Sequence, residues 1–511
     1  MDASSATSFW MATAPGQPFG RLESDLEVDV AVIGGGIAGL STAWELVERG
    51  RSVAVLEARR IAADTTGFTT AKVSVLHTFV YDHVARAFGA EAATFYARSQ
   101  QFAVERVASL VDELDLSCGF ERSASYTYVT EQNGVAKVRA EAAAARAAGL
   151  PAEVVQDTGL PYPVAAAVRV DGQAQFHPRE YLLGLADALV ARGGAIYEHT
   201  RATGLKQGSR CRVSTEAGPT VSARDVVVAT HYPVFDRALL FTRLRPHAEL
   251  VVAGSIAADD DPNGMFITTE LDNRSVRTAP LPDGSRLLIV TGEHHVPGSP
   301  GRGGVRRRLE RLSGWAREHF AVDDLTYHWE AQDNHTPDGV PYIGLLHVGT
   351  KHAYVATGFG GWGMTNGVLS GSLLADLITG QRNPWAGLYD PRRFSPRRET
   401  PVLLKDQAEI GAHFVGDRVK SVLRGSGDVD TLPPGQGTVV RDGLGARAVY
   451  RDDDGQLHAV SATCTHLGCV VQFDDVQREW ACPCHGSRFA VDGSVLHGPA
   501  NAPLERRDLP G

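Results

Sequence analysis

Two short clusters of cysteine and histidine near the C-terminal end of the sequence carry its clearest chemical signal. Residues 464–469 read Cys-Thr-His-Leu-Gly-Cys, and residues 482–487 read Cys-Pro-Cys-His-Gly-Ser. Thiolate sulfur and neutral imidazole nitrogen at close spacing are preferred ligands of transition metals. The C-x-H and C-x-x-H subsets supply two sulfur and two nitrogen ligands, which suits either a [2Fe–2S] cluster or a tetrahedral zinc site. A zinc site would leave two further cysteines at matched positions without a role.

Both clusters resemble the paired loops of Rieske proteins that also carry a disulfide between the loops. The resemblance implies that two cysteines hold one iron and two histidines hold the other. The implied iron ligands are Cys464, Cys482, His466 and His485. The resemblance also implies a disulfide between Cys469 and Cys484, which would be unusual in a cytoplasmic protein.

Residues 28–57 carry the pattern of a dinucleotide-binding β-α-β unit. An apolar run that predicts a strand leads into Gly34, Gly36 and Gly39, and apolar residues at helical spacing follow. The glycines permit a tight turn, close approach of a pyrophosphate and close helix–strand packing. The helix N-terminus offers unpaired N–H groups to phosphates. A second predicted strand ends at Glu57, whose carboxylate can accept ribose hydroxyls, so the unit predicts FAD or NAD binding.

The sequence from residue 25 to residue 385 resembles FAD-dependent oxidoreductases of the D-amino-acid oxidase and glycine oxidase type. After the glycine motif, the resemblance is carried by residues 65–72, 225–230 and 354–367. The last stretch predicts a strand, a Gly-rich turn and a helix whose N-terminus would stabilise negative charge on reduced flavin. A strand–helix unit with packing glycines is the alternative. Beyond Gly34, Gly36, Gly39 and Glu57, the implied FAD-binding residues are Ile37, Ala38, Thr69, Thr70, Ala71, Gly358, Gly360, Gly361, Trp362, Gly363 and Met364.

These features predict a mixed α/β oxidoreductase domain with two interleaved parts. The Rossmann-like FAD-binding part is expected over about 25–77, 166–239 and 327–385. The substrate part, expected to hold an antiparallel sheet, covers about 78–165 and 240–326.

Three further segments complete the predicted organisation. Residues 1–24 are expected to form a flexible N-terminal arm. Residues 386–427 contain several prolines and paired arginines and are expected to form a connector. Residues 428–511 show short strand patterns separated by tight turns, which predicts a small all-β Rieske domain with the metal cluster at loop tips.

Composition and charge exclude several functional classes. The 511 residues carry a net charge of −10 at pH 7, which gives no reason to expect binding of nucleic acid. No apolar run approaches the ~20 residues of a membrane-spanning helix, and the N-terminus lacks the pattern of a secretory signal. We therefore expect a cytoplasmic protein. Cys118 and Cys211 lie far apart in sequence and are expected to be buried, inert thiols.

Together these features predict a flavin-dependent dehydrogenase with an iron–sulfur centre. A small substrate, an amine or amino acid, would reduce FAD, and electrons would pass to the Rieske cluster and on to an external protein or quinone. One alternative is a reductase in which electrons enter through the cluster, and another is a non-enzymatic redox sensor. An oligomer is possible. A Rieske oxygenase would need an additional mononuclear iron site.

The sequence offers candidates for the substrate site but no motif that defines it. Members of the resembling family often hold a substrate carboxylate with an arginine, and Arg274 and Arg277 lie in the corresponding region. For both, a surface or structural role is the alternative. Asp333 suits a strand end as well as a catalytic base. Further pocket candidates are His77, Tyr126 and Tyr128.

Overall fold

The structure is a computed structural model that describes residues 7–235, 240–270, 273–299, 303–394, 404, 429–442 and 445–509. Most of the connector expected over residues 386–427 lies outside the described residues, as do the first six residues of the expected arm.

The helices and strands of the described residues are as follows. The helices are α1 Phe9–Thr13, α2 Ile37–Glu48, α3 Val80–Phe88, α4 Ala90–Glu113, α5 Val135–Ala147, α6 Pro178–Ala191, α7 Gly304–His319, α8 Gly363–Thr379 and α9 Ala386–Tyr389. The strands are β1 Leu26–Ile33, β2 Val53–Leu56, β3 Lys72–Val73, β4 Glu121–Val129, β5 Glu153–Val155, β6 Ala166–Gln175, β7 Ala195–Tyr197, β8 Ala202–Lys206, β9 Cys211–Thr215, β10 Thr220–Val228, β11 Arg245–Ile256, β12 Met265–Thr268, β13 Ser275–Pro280, β14 Arg286–His295, β15 Tyr327–His335, β16 Tyr342–Leu345, β17 Ala353–Thr357, β18 Gln436–Asp442, β19 Gly445–Arg451, β20 Leu457–Ser461, β21 Gln472–Asp474, β22 Glu479–Ala481, β23 Arg488–Phe489 and β24 Val495–His497.

The first sheet has a parallel centre that brings several strand ends to one edge. Its order is β16-β17-β10-β1-β2-β7, with β8 and β9 attached beside β10. Strand β1 runs parallel to both β2 and β10. Helices α2 and α8 pack closely together, since a Cβ on Gly371 would lie 2.7 Å from the Ser41 carbonyl. In open sheets of this kind, ligands bind at the carboxyl ends of the parallel strands.

The second sheet follows the order β15-β11-β14-β13-β12-β4-β6-β3, with β5 beside β6. It differs from the expected antiparallel sheet at one pairing, because β12 runs parallel to β4. It also contains β3, β6 and β15, which the sequence had assigned to the FAD-binding part. Strand β15 pairs with β11 along its whole length, from Arg245 opposite His335 to Ala253 opposite Tyr327. This pairing places polar residues of β11 and β15 side by side.

The N-terminal segment is packed into the oxidoreductase domain, so the expectation of a flexible arm over residues 1–24 is wrong for the described part. The Trp10 side chain has no exposed surface, and its indole N–H donates to the Thr69 carbonyl at 2.7 Å. The Arg179 guanidinium donates to the carbonyls of Ala14 and Pro15. The buried Trp10 ring and the hydrogen bonds from Arg179 therefore hold the N-terminal segment against the domain.

The C-terminal domain is all-β, as expected. Among the described residues, β18–β20 form a three-stranded sheet and β21–β24 form a four-stranded sheet. Its core includes the fully buried rings of Trp480 and Phe489. The Gln332 side chain of β15 donates to the Gly486 carbonyl at 3.1 Å, and Arg488 forms an ion pair with Glu330. These buried polar contacts attach the small domain directly to the second sheet.

In the part of the chain that the structure describes, no helix combines the length and apolar character that crossing a bilayer requires. The expected cytoplasmic location stays a prediction.

Replacing Trp10 with Ala should destabilise the oxidoreductase domain by about 3–5 kcal/mol, because it removes a fully buried ring and a hydrogen bond. The check is the midpoint of chemical denaturation followed by fluorescence. Val348→Ala is the control, since the Val348 side chain is 87% exposed. If the two variants unfolded at the same denaturant concentration, the packing of the N-terminal segment would be contradicted.

Candidate active site and metal centre

The turn between β1 and α2 forms a close-packed cradle of glycines. Gly34 has a φ of +108°, and a Cβ there would lie 2.4 Å from the Ala229 carbonyl oxygen. A Cβ on Gly39 would lie 1.9 Å from the Gly34 carbonyl oxygen. Gly36 is the N-cap of α2, so the first N–H groups of this helix point into the adjacent cavity. The local geometry therefore suits a pyrophosphate bound against backbone N–H groups.

Glu57 follows β2 and is held beside this turn. Its carboxylate accepts from the backbone N–H of Gly35 and from that of Arg59, each at 2.8 Å. Burial raises the pKa of Glu57, although both hydrogen bonds act in the opposite direction. The carboxylate is thus fixed at the position where the sequence motif places the ribose-binding acid.

A cavity of about 660 Å³ opens at the carboxyl ends of the first sheet and continues along the second sheet. This volume lies in the range of sites for cofactors and small ligands. Most of the sequence-predicted FAD-binding residues line it: Gly34, Gly36, Ile37, Ala38, Glu57, Thr69, Thr70, Gly360, Gly361, Trp362, Gly363 and Met364. The residues present therefore fit an extended dinucleotide such as FAD.

Three predicted FAD-binding residues lie behind the cavity wall. Gly39 packs on Gly34, as described above. A Cβ on Gly358 would lie 2.5 Å from the Thr336 side chain, so this glycine permits close packing of the Gly-rich turn. Ala71 is fully buried and adopts a φ of +56°. Their contribution is to shape the wall.

Strands of the second sheet line the opposite end of the cavity, which we call the substrate end. Neighbouring strands β15, β11 and β14 place His335, His247 and His294 side by side. The His247 ring centroid lies 4.7 Å from that of His335 and 4.4 Å from that of His294. Burial and the neighbouring charges lower the pKa of His247 to about 2, and burial also lowers the pKa of His335. At neutral pH both imidazoles are therefore neutral and able to accept hydrogen bonds.

Two further polar groups of the substrate end are the carboxylate of Glu249 and the amine of Lys72. Glu249 accepts from Asn273 Nδ2 at 2.8 Å, and Lys72 donates to the Ser275 hydroxyl. Burial lowers the pKa of Lys72 to about 8, and Glu249 opposes this shift. Sequence reasoning missed these residues, because only the pairing of distant strands brings them together.

Among the candidates proposed from sequence for the substrate site, Asp333 lines the cavity and the other five do not. His77 is buried and stacks on Trp362 at 4.4 Å, with its Nδ1 2.6 Å from the Tyr96 hydroxyl. Arg274 pairs with Glu293 at 3.2 Å. The remaining candidates are placed as follows: Arg277 over the Trp10 ring, Tyr126 stacked on Phe266, and Tyr128 bonded to the Tyr162 hydroxyl. All of these side chains make packing contacts within the domain.

The two cysteine–histidine clusters come together at one end of the C-terminal domain. Cys469 and Cys484 form a disulfide with an S–S distance of 2.07 Å, which confirms the pairing implied by the resemblance. Cys464 and Cys482 remain as buried thiols beside it. The hydrogen bond from Cys482 lowers the pKa of the Cys464 thiol to about 7. Two buried thiols that lie beside each other suit metal binding as thiolates.

The two histidines of these clusters lie next to each other. The ring centroids of His466 and His485 are 4.8 Å apart, with the ring planes nearly perpendicular. Burial lowers the pKa of His466 to about 4 and that of His485 to about 3, so both rings are neutral at physiological pH. Two sulfurs and two neutral imidazole nitrogens are the donor set of a Rieske [2Fe–2S] cluster, and the residues present fit that group.

The C-terminal domain also reaches the flavin-binding cavity. Its residues Leu496, His497, Gly498 and Asn501 line the same cavity as the glycine motif. On the other side of this contact, Tyr232 follows β10, and its ring lies edge-on to those of His466 and His485 at 6.4 Å and 6.3 Å. Tyr232 thus contacts both cluster histidines, and the residues directly before it, Ala229, Thr230 and His231, line the cavity.

Four titratable side chains join the two domains at this contact, and we call them the Asp–His–His–Asp chain. The chain consists of Asp64, His497, His231 and Asp333, all of which line the cavity. His497 Nδ1 lies 3.0 Å from Asp64 Oδ2, and His497 Nε2 lies 3.1 Å from His231 Nδ1. His231 Nε2 lies 3.2 Å from Asp333 Oδ1. Apart from Asp333, which is a candidate base, no pattern in the sequence indicates this arrangement.

Comparison with known families agrees with both halves of this description. A family model described as FAD dependent oxidoreductase matches residues 29–377, and one described as Rieske [2Fe-2S] domain matches residues 426–507. YhfW of Bacillus subtilis (strain 168), which is named as a Rieske 2Fe-2S iron-sulfur protein, is 32% identical over 502 residues. That similarity covers 98% of this chain and 97% of YhfW.

Two further comparisons concern the oxidoreductase domain. Gamma-glutamylputrescine oxidoreductase of Escherichia coli (strain K12) is 23% identical over 373 residues, covering 71% of this chain and 86% of that protein. The crystal structure of glycine oxidase from Geobacillus kaustophilus superposes with a TM-score of 0.59 at 19% identity, covering 72% of this chain and 100% of that chain. This structural likeness shows the fold alone. The expected fold class and the two cofactors, FAD and a [2Fe–2S] cluster, are confirmed by the family matches and the fold.

Gly39→Ala should abolish FAD binding, because the added Cβ would collide with the Gly34 carbonyl and open the glycine turn. The measurement is the flavin-to-protein ratio from the absorbance of purified protein. Gly314→Ala is the control, since a Cβ at this position on helix α7 meets no atom within 4 Å. A full complement of flavin in Gly39→Ala would contradict the proposed cradle.

His485→Ala should remove the iron–sulfur cluster and leave bound flavin intact, since His485 is an implied iron ligand and the flavin-binding residues lie in the other domain. Iron content and the EPR spectrum of the reduced protein report the cluster, and absorbance reports the flavin. His458→Ala is the control, because His458 belongs to the same domain and pairs with Asp452 at 2.7 Å. A normal cluster signal in His485→Ala would refute the ligand assignment.

Proposed function

The chain belongs to the family of FAD-dependent oxidoreductases and carries a Rieske [2Fe–2S] domain, and from this we propose that it oxidises a small amine and passes the electrons to its own cluster. An external electron acceptor, a redox protein or a quinone, would then reoxidise the cluster. The observation that carries the proposal is the entry of Leu496, His497 and Gly498 of the C-terminal domain into the cavity lined by the flavin-binding residues. A one-electron centre in the domain that makes this contact can accept electrons from a two-electron centre in the cavity, without a separate carrier protein.

The protein's own residues would hold the flavin and set its surroundings. The glycine turn and the N-terminus of α2 would bind the pyrophosphate, and Glu57 the ribose. The Gly-rich turn from Gly360 to Met364 would hold the flavin ring. The positive end of the α8 dipole, which begins at Gly363, would stabilise negative charge there. Bound FAD would supply hydride acceptance and release of single electrons.

The substrate end favours an amine over an α-amino acid. Recognition of a substrate carboxylate typically uses a bidentate arginine. Among the described residues that line the substrate end, the basic side chains are Lys72 and three histidines, and none is an arginine. Lys72 is already bonded to Ser275 and has a lowered pKa, so it is a poor carboxylate clamp. Glu249, by contrast, offers a negative charge to a substrate ammonium group.

The similarity to gamma-glutamylputrescine oxidoreductase supports the same choice, since that protein is named for an amine substrate. The neutral imidazoles of His247 and His335 would accept hydrogen bonds from an amine. We therefore place the amine between this histidine row and the residues that hold the flavin.

Anaerobic titration with a panel of amines and amino acids tests the function. We expect amines to bleach the flavin absorbance, and a reduced Rieske EPR signal to rise after bleaching. Bleaching without that signal would show that the flavin does not reduce the cluster. Potentiometry separates this direction of flow from the reductase alternative, because outward flow requires a cluster potential more positive than that of the flavin.

Glu249→Gln should weaken amine binding about 10- to 100-fold, because a charge-assisted hydrogen bond contributes about 1.5–3 kcal/mol. The measurement is the amine concentration at half-maximal rate of anaerobic flavin bleaching. Glu310→Gln, on the exposed face of α7, is the matched control and should behave as the unmodified protein. Equal concentrations for the two variants would show that Glu249 does not face the substrate.

A further inference from the structure

The hydrogen bonds of the Asp–His–His–Asp chain determine how many protons it carries. Burial raises the pKa of Asp333, but the hydrogen bond and charge of His231 outweigh it and lower the pKa. At Asp64, whose side chain is half exposed, the charge and hydrogen bond of His497 hold the pKa well below its usual range. Both carboxylates are therefore ionised at neutral pH and act only as acceptors.

With acceptors at both ends, each of the three hydrogen bonds must draw its proton from an imidazole. Three protons on four ring nitrogens exceed by one what two neutral imidazoles carry. Burial lowers the pKa of His497, and two neutral imidazoles would leave one of the three contacts without a proton. The amide nitrogen of Asn334 lies 3.3 Å from each ring nitrogen of His231, a longer contact than those within the chain. An imidazole can take up a proton on one ring nitrogen and release one from the other, so this continuous row of contacts is suited to passing protons along.

One end of the chain touches the residues that would hold the flavin. Asp333 Oδ2 accepts from the backbone N–H of Gly361 at 2.5 Å, within the Gly-rich turn before α8. At the other end, half of the Asp64 side chain is exposed, and Arg59 Nη2 lies 3.5 Å from its carboxylate. The arginine favours ionised Asp64 and therefore favours release of a proton at this end. Further charged or titratable groups whose fields act on these ends are Arg488 near His497, His335 near Asp333, and Glu57 and Glu479 near Asp64.

The proposed function creates a proton that must leave the cavity. Anionic reduced flavin gives up two electrons and one proton when it returns to its oxidised form. A bound cluster would accept one electron at a time, with one ferric ion becoming ferrous, and an external one-electron acceptor would remove each electron in turn. A proton moves over much shorter distances than an electron, so its transfer uses hydrogen-bonded donors and acceptors such as those at the contact.

We propose that the Asp–His–His–Asp chain is a proton-transfer site that takes up the flavin proton at Asp333 and His231 and releases one proton from Asp64. This inference rests on the proposed function, because it assumes that electrons pass from flavin to cluster. Only N–H and O–H bonds form and break along the chain, and its net charge is restored after each release. The electron and the proton would then leave the cavity across the same domain contact, the electron through the cluster and the proton through the Asp–His–His–Asp chain.

The test compares His231→Gln and His497→Gln with the control His347→Gln, which lies outside the cavity lining. Glutamine keeps a donor and an acceptor but cannot take up and release a proton as an imidazole does. The flavin of the holoprotein is reduced by flash photoreduction with 5-deazariboflavin, so no amine is needed. Rapid-freeze EPR of the cluster and flavin absorbance then give the rate of transfer from flavin to cluster, in H₂O and in D₂O.

We expect transfer in the unmodified protein and in His347→Gln to be slower in D₂O. The two chain variants should transfer about 100-fold more slowly, as for the loss of a general acid–base group. In His231→Ala, added imidazole should restore the rate, which a purely structural role would not allow.

Transfer at the unmodified rate with an unchanged solvent isotope effect would overturn the proposal. So would loss of flavin or cluster from both glutamine variants, because the chain would then be structural. No transfer at all in the unmodified protein would instead refute the proposed function.

Discussion

The contact between the C-terminal domain and the flavin-binding edge of the first sheet is the constraint on which the rest of the molecule depends. It is made where β24 and the residues after it enter the cavity, and where Tyr232 lies against the two cluster histidines. Buried polar contacts to β15, including the Arg488–Glu330 ion pair, fix the small domain in this position. Breaking one partner of a buried pair is costly, because the other charge is left uncompensated. The geometry of the two redox sites is therefore built into the folded chain.

The second sheet connects the substrate, the flavin and the cluster. Its strand β15 carries His335 at the substrate end, Asp333 in the Asp–His–His–Asp chain, and Gln332 and Glu330 in the attachment of the C-terminal domain. Successive side chains of a strand point to opposite faces, so one strand can serve the cavity with some residues and the domain contact with others. A displacement of β15 would therefore alter the substrate end, the Asp–His–His–Asp chain and the attachment of the C-terminal domain.

Much of the fold and both cofactors could be predicted from sequence, because they depend on short-range spacing. The glycine motif needs its three glycines within one turn, and the metal ligands lie within two loops. The substrate end and the domain contact depend instead on long-range pairing, since His497 and Asp64 are 433 residues apart in sequence. Arg274 lies outside the cavity lining for a related reason: Ser275 lines the cavity, and strand alternation turns Arg274 away, toward the Trp315 ring at 5.5 Å. Trp10 shows the same limit at the N-terminus, where a short segment is held by contacts that composition does not reveal.

The central claim is that flavin and cluster are neighbours within one folded chain. The most direct measurement is the spin-lattice relaxation of a flavin radical in partly reduced protein, recorded by EPR with the cluster present and with the cluster removed by His485→Ala. We predict much faster relaxation of the radical when the reduced cluster is present, because a nearby paramagnet relaxes it. The same relaxation rate in both proteins would contradict the account, since it would place the two centres too far apart to interact.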